Sequence, residues 1–261
     1  MKNYQTKIFS RSRIATIDVC ALGLKKHHVI VLIEIDITES RKKIKNHKKN
    51  KEHISFFAWL IKAISISIKE NSIVAAFLKG KRKLIEFNDI NISVAVEKEI
   101  NGNKVPIPLV IEKTNEKTIK EITSQINQAK SQTLTNKEIV LQRKSNRLEH
   151  IYYLLPGFVR RMFWYYLIRH PHFAFNKMGN VSVTSVSGSG GANAWFIPIS
   201  VHPICFGIGN VIKKPVVRND NIEIREVLNM TVLLDHDVVD GMKMTRFLRS
   251  LSNNIEKGVE L

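Results

Sequence analysis

Hydrophobic positions recur along this chain at the two spacings that distinguish helices from strands. Residues 29–37 (VIVLIEIDI) are continuously apolar in their first half and alternate in their second, which predicts a strand. Thr38 follows as the expected N-cap of a basic helix. Residues 55–71 are apolar on nearly all sides and predict a deeply buried helix. Residues 118–133 predict an amphipathic helix, whose apolar face comprises Ile119, Ile122, Ile126 and Ala129.

The remaining apolar runs predict further strands and one last helix. The expected strands are residues 92–96, 104–110, 181–186, 204–211 and 230–234, with turns at residues 101–103 and 219–221. The last helix carries an apolar face made of Met244, Phe247, Leu248, Leu251 and Ile255. No internal repeat and no linker rich in Pro, Ala or Ser interrupts the chain. The pattern therefore predicts one α/β domain over residues 1–261.

One segment, residues 138–177, departs from these patterns because it mixes aromatic residues with arginines. Its centre breaks at Pro156-Gly157, which predicts two short helices. A helical pair packed on its own domain or on a neighbouring subunit is the favoured interpretation. An interfacial membrane contact through residues 150–168 is the less favoured alternative, because aromatic and arginine side chains suit the lipid headgroup region.

The chain is strongly basic, with a formal net charge of +18 at pH 7. Charge of this sign attracts anionic partners in general but identifies none of them. The densest run, Arg41 to Lys51, holds seven Lys and Arg in eleven residues. A solvated helix face or loop is the favoured interpretation of this run, so no nucleic-acid partner is predicted.

Cysteines and paired histidines give no sign of a disulfide framework or a metal site. Cys20 and Cys205 lie far apart and in no ligand spacing, and Cys205 sits in an apolar run that predicts a buried thiol. The close histidines, at residues 27–28 and 170–172, lack carboxylate or cysteine neighbours at a metal-binding spacing, so no metal is expected. The first residues lack the apolar core of a signal peptide, which predicts a cytoplasmic protein.

The candidate chemistry lies at residues 233–241 (LLDHDVVDG), where a strand-like run meets the start of a helix. His236 at such a strand end can act as a general base if the local backbone fixes its imidazole. Asp240 can orient that ring or pair with a cation, and Gly241 can permit the turn. Spacing alone slightly favours a plainer interpretation, in which His236 is a hydrogen-bonded strand-end histidine and Asp240 a helix N-cap.

The same residues resemble the HxxxDG motif of chloramphenicol acetyltransferase and of the catalytic domain of 2-oxoacid dehydrogenase acyltransferases. The latter usually reads DHRxxDG, and Asp235-His236 fits that form. Condensation domains of the same fold carry two adjacent histidines, which Asp235 argues against. The resemblance covers residues 9–133 and 179–257, through segments that include 13–15, 28–38, 57–68, 91–96, 105–108, 117–122, 183–185, 196–199, 202–203 and 207–209.

The resemblance implies an α/β fold of the chloramphenicol acetyltransferase type, with a mixed central sheet flanked by helices. It implies that His236 removes a proton from a thiol, normally that of coenzyme A, which then attacks an acyl thioester. It further implies that a hydroxyl donates to the oxyanion, and by residue match this is Ser185. The loop departs from the family pattern here, so Thr184 and Ser187 stay open as alternative donors.

A homotrimer, or a multiple of one, is also implied, with His236 of one subunit facing Ser185 of the next. The resemblance makes Asp240 structural and paired with Arg13.

Dihydrolipoamide on a separate lipoyl-bearing protein is one expected acceptor, and other thiols, hydroxyls and amines remain alternatives. No lipoyl domain is expected in this chain. A non-catalytic trimeric scaffold is the alternative function. Asp237, where the family has arginine, changes the charge beside the proposed base.

Overall fold

A six-stranded mixed sheet forms the centre of the computed structural model, which describes residues 4–6, 12–49, 54–100, 103–131, 152–186 and 193–261. The strand order is β1-β8-β7-β6-β4-β5. Pairs β4–β6 and β6–β7 are parallel, and the other three pairs are antiparallel. These strands are β1 (His28–Asp36), β4 (Ile92–Ile100), β5 (Asn103–Ile111), β6 (Val181–Ser185), β7 (Ile204–Arg218) and β8 (Asn221–Asp235).

Helices cover one face of this sheet and enclose the main core. The helices are α1 (Ser12–Gly23), α2 (Thr38–Lys49), α3 (Phe56–Glu70), α4 (Ile119–Ser131), α5 (Gly157–Arg169), α6 (Pro171–Met178) and α7 (Gly241–Lys257). The predicted deep burial of α3 is confirmed, because ten of its fifteen residues are buried. Its N-cap is Ser55, whose hydroxyl accepts from the Ala58 N–H. In the same core, alternate residues of β8 pack against α3 and α7: Leu228, Met230, Val232 and Leu234.

On the opposite face of the sheet, residues 193–203, which have no regular structure, lie against β7. Trp195 anchors this segment, because its indole N–H donates to the Ile33 carbonyl. The segment lies close against β7 at Gly209, where a Cβ would stand 2.9 Å from the Asn229 carbonyl oxygen and 3.1 Å from that of Ala194. Glycine is required at this position by the close approach of two backbones.

Several elements of the structure differ from the sequence-based prediction in length, in capping residue or in being unexpected. Strands β7 and β8 are fifteen residues each, far longer than expected, and join at Asn219 and Asp220 with φ of 47° and 64°. Thr38 is wrong as an N-cap, because it is the first residue of α2 and its hydroxyl donates to Asp36. Helix α1 and a short hairpin, β2 (Phe77–Lys79) with β3 (Lys83–Ile85), were not expected.

The aromatic and basic segment folds into helices packed on the rest of the chain. Helix α5 starts at Gly157, as the Pro156-Gly157 break predicts, and a second break at Pro171 begins α6. Residues 138–151 of the predicted segment lie outside the described residues. The structure shows the first of the two favoured alternatives, packing on the chain's own domain, because Arg160 of α5 pairs with Asp18 of α1. In the part of the chain that the structure describes, no helix is long and apolar enough to cross a lipid bilayer.

Asp18 is the polar centre that ties α5 to α1. Its carboxylate accepts from Arg160 Nε at 2.7 Å and from the Tyr152 hydroxyl at 2.9 Å. Trp164 in turn donates its indole N–H to the Tyr152 oxygen. Burial raises the pKa of Tyr152 to about 12, so the phenol stays protonated and can donate. A second small core supports the same side of α5 nearer its C-terminal end and consists of Phe77, Leu167, Ala174 and Phe175.

Replacement of Asp18 by Asn should destabilise the protein, because the partly buried Arg160 guanidinium loses its counter-charge, the buried Asp18 carboxylate. We expect a loss of about 3 kcal/mol in the free energy of unfolding, measured by equilibrium urea titration. The matched control is Asp89→Asn, which removes the more exposed 3.7 Å pair with Lys113 and should cost less than about 1 kcal/mol. Equal losses in the two variants would contradict the central role of Asp18.

Candidate active site at the end of strand β8

His236 follows the last residue of β8 and begins the turn that leads into α7. Its backbone N–H donates to the His27 carbonyl at 2.9 Å, which fixes the main chain at this point. Its side chain is exposed, and its imidazole has no hydrogen-bond partner among the described residues. The structure therefore places an accessible imidazole on a fixed backbone, which is the arrangement that a general base requires.

The turn beneath His236 is organised by the buried carboxylate of Asp235, which is 2% exposed. One oxygen accepts from the Asp237 backbone N–H at 3.2 Å, and the other pairs with Lys26 Nζ at 2.5 Å. The Asp235 carbonyl also accepts from the N–H groups of Val238 and Val239. Because both the side chain and the main chain of Asp235 bind the turn, the residue positions His236 from below.

Asp237 directs its carboxylate to His27, which lies just before β1. The distance from His27 Nδ1 to a carboxylate oxygen of Asp237 is 3.0 Å, and both side chains are exposed. The hydrogen bond and the charge of Asp237 raise the pKa of His27. Asp237 thus has its partner in the segment just before β1.

Asp240 is a helix cap in this structure, as the plainer interpretation of the sequence has it. Its side chain accepts from the Lys243 N–H at 3.0 Å, and this bond lowers the pKa of the carboxyl. The expected pairing with Arg13 is not present, because Arg13 is exposed on α1 and the ion-pair partner recorded for Asp240 is Lys243. Gly241 is not needed for the turn: its φ is not positive, and an added Cβ would meet nothing within 4 Å.

The expected oxyanion donors are displaced from His236 along the strand direction. Ser185 is the last residue of β6, Thr184 precedes it, and both are half-buried, whereas Ser187 lies outside the described residues. Ser185 is level with Met230 of β8, through Ile208 of β7. His236 is six residues further along the strand direction, which corresponds to about 20 Å at roughly 3.3 Å per residue. One copy of the chain does not bring the two groups together.

Two histidines that the sequence did not single out for the site support this end of the sheet. His28 bonds through Nε2 to the His202 carbonyl at 3.0 Å. His202 donates Nε2–H to the Met178 carbonyl at 3.0 Å and accepts at Nδ1 from the Ser200 hydroxyl at 3.1 Å. Burial lowers the pKa of His202 to about 4, so the ring is neutral. His28 and His202 are brought together by the pairing of strands, which cannot be deduced from the sequence around either residue.

Cys205 is a buried thiol on β7, as predicted. It is 1% exposed, and burial raises its pKa to about 11, which excludes thiolate chemistry near neutral pH.

Comparison with known proteins relates the whole arrangement to one family. The family described as 2-oxoacid dehydrogenases acyltransferase (catalytic domain) matches residues 9–140 and 175–261. The lipoamide acyltransferase component of the branched-chain alpha-keto acid dehydrogenase complex of Bacillus subtilis (strain 168) is 26% identical over 237 residues. These residues are 88% of this chain and 46% of that protein, so the chain spans about half the length of this curated relative.

Solved structures share the fold over almost the whole chain. A probable dihydrolipoamide acetyltransferase from Listeria monocytogenes 4b F2365 has a TM-score of 0.67 at 20% identity and covers 98% of this chain and 96% of its own. A truncated catalytic core of the 2-oxoacid dehydrogenase multienzyme complex from Thermoplasma acidophilum has a TM-score of 0.65 at 17% identity, with coverages of 98% and 100%. The predicted fold class is confirmed.

The neutral, buried state of His202 predicts a loss of stability in acid. The unfolded chain binds a proton at this histidine below its ordinary pKa of 6.5, whereas the folded chain does so only near 4. Stability therefore falls as the pH drops through this window, by about 3 kcal/mol from this group. In urea titrations at several pH values, His202→Asn should show a shallower decline between pH 6.5 and 4 than the wild type. Parallel declines would contradict the assignment.

Proposed function

This chain belongs to the 2-oxoacid dehydrogenase acyltransferase catalytic-domain family, and from that membership we propose that it transfers an acyl group between coenzyme A and an acceptor thiol. The observation that carries the proposal is the position of His236, which is accessible at the end of β8 and lies within the family's HxxxDG motif. The first acceptor to test is dihydrolipoamide, in keeping with the name of the Bacillus subtilis relative. Other thiols, hydroxyls and amines are the acceptors to compare with it.

In this proposal the imidazole of His236 takes the proton of the attacking thiol. A free thiol has a pKa of about 8.5, so a base of histidine's strength is sufficient near neutral pH. The thiolate sulfur then forms a bond to the thioester carbonyl carbon, and the carbonyl oxygen becomes an oxyanion. Collapse of this intermediate breaks the bond to the departing thiolate, which receives the proton back from the imidazolium.

The oxyanion needs a hydrogen-bond donor that the same copy of the chain does not bring to His236. The distance of about 20 Å between His236 and Ser185 along the sheet supports a site shared between two copies. We place the donor hydroxyl on a neighbouring subunit of a homotrimer, with Ser185 as the first candidate and Thr184 and Ser187 as the alternatives. Closure of the site between subunits would also exclude water from the thioester.

Replacement of His236 by Ala should lower acyl transfer by about two orders of magnitude or more, because the general base is lost. The measurement is the formation of CoA and of S-acyl-dihydrolipoamide, separated by chromatography, from a panel of acyl-CoA thioesters with dihydrolipoamide as acceptor. His172→Ala, which removes an exposed histidine from α6, is the matched control and should keep wild-type turnover. Unchanged turnover in His236→Ala would defeat the proposal, and no turnover of any acyl-CoA by the wild type would favour a scaffold.

Mixing two inactive variants should restore activity if the site is shared between subunits. Ser185→Ala, Thr184→Ala and Ser187→Ala are first compared singly, and the true donor should cost about 100-fold or more in kcat. That variant is then unfolded and refolded together with His236→Ala in equal amounts. In random trimers about a quarter of the interfaces combine an intact histidine with an intact hydroxyl, so about a quarter of wild-type activity should return. Recovery near zero would place both groups in one subunit.

A further inference from the structure

Helix α5 carries a stripe of large apolar side chains on its solvent side. Phe158 and Met162 are 65% and 68% exposed, and Tyr165 and Tyr166 are about half exposed. Their spacing of i, i+4, i+7 and i+8 places the four side chains on one face of the helix. Leu154, one turn before the helix, is 75% exposed. Side chains of this size are exposed together where a surface has a partner.

The stripe is exposed because α5 is held with its other side against the protein. Arg160 and Trp164 point to the Asp18 centre, and Leu167 is buried in the second small core. These contacts hold the helix in one orientation, and they use the side chains that do not belong to the stripe. The apolar stripe is therefore a fixed feature of the folded surface.

The charged side chains of the segment that carries the stripe are all of one sign. Residues 152–178 contain no Asp or Glu. Arg161 is exposed beside the stripe, and Arg169 lies at its C-terminal end with its guanidinium 4.2 Å from the centre of the Tyr165 ring. An apolar stripe between arginines is complementary to a surface that offers both hydrocarbon and negative charge.

We infer that α5 docks this protein on membranes that contain anionic lipid. Phe158, Met162 and Tyr166 enter the boundary between headgroups and acyl chains, and Arg161 and Arg169 meet the lipid phosphates. Contact of this stripe with the same stripe of a second copy is disfavoured, because it would bring the arginines of both copies together. Residues 141–174 lie between the two segments that match the family, so the docking surface is an addition to the family's domain. The inference does not depend on the proposed acyl transfer.

The first test is flotation of the full chain with vesicles of phosphatidylcholine, alone or mixed with phosphatidylglycerol. We expect binding to the mixed vesicles and at least about tenfold weaker binding by the double variant Phe158→Ser/Met162→Ser, because its apolar contact is lost. The matched control, Val217→Ser/Ile222→Ser, changes two apolar side chains that are 70% and 77% exposed on the β7–β8 hairpin. The control should bind as the wild type does.

The second arm separates a docking surface from the general attraction of a chain with net charge +18. Arg161→Gln/Arg169→Gln should weaken binding to the mixed vesicles about tenfold. Arg246→Gln/Arg249→Gln removes the same charge from exposed positions on α7 and should have little effect. Absence of vesicle binding, equal losses in the two arginine pairs, or a lower molecular mass of Phe158→Ser/Met162→Ser in light scattering would overturn the inference. The last result would show that the stripe is a contact between copies of the chain.

Discussion

The register of β1 against β8 is the constraint on which both the core and the candidate site depend. His28 lies opposite Asp235, so Lys26 and His27 come beside the turn that carries His236. The same register turns alternate residues of β8 toward α3 and α7. A shift by one residue would reverse every side chain of the strand, expose this core and remove the partners of the turn. Packing and site geometry are therefore specified by one pairing.

The carboxylates of Asp235 and Asp237 have their partners across the β1–β8 pairing rather than within residues 235–241. Asp235 is buried, and an unpaired carboxylate there would carry a large desolvation cost, which Lys26 offsets. Asp237 adds a second negative charge where the family has an arginine, and His27 faces it. Both partners come from the residues just before β1. The acidic residue at position 237 is thus bound by this segment, with the His236 backbone held between the two pairs.

Features encoded by local pattern were predictable, and features encoded by tertiary partners were not. Helix α3 and the position of His236 follow from periodicity and from a motif at a strand end. The Arg13–Asp240 pair failed because a short motif does not specify what approaches it from another element. Lys26 and His202 were missed because their roles require the strand register. Helix α1 was missed because its partner, α5, belongs to a segment whose pattern resembles no standard element.

Under the proposed chemistry, one subunit is sufficient for folding, whereas catalysis requires two neighbouring subunits. The single chain fixes the backbone of His236, because Asp235, the His27 carbonyl and the core of β8 require no partner. The single chain leaves the imidazole open to water and about 20 Å from the expected hydroxyl, so electrostatic stabilisation of an oxyanion is absent. A neighbouring subunit would supply the donor and the water-excluding wall together. Catalytic competence would then arise only on assembly, while each subunit folds around a base that is already in place.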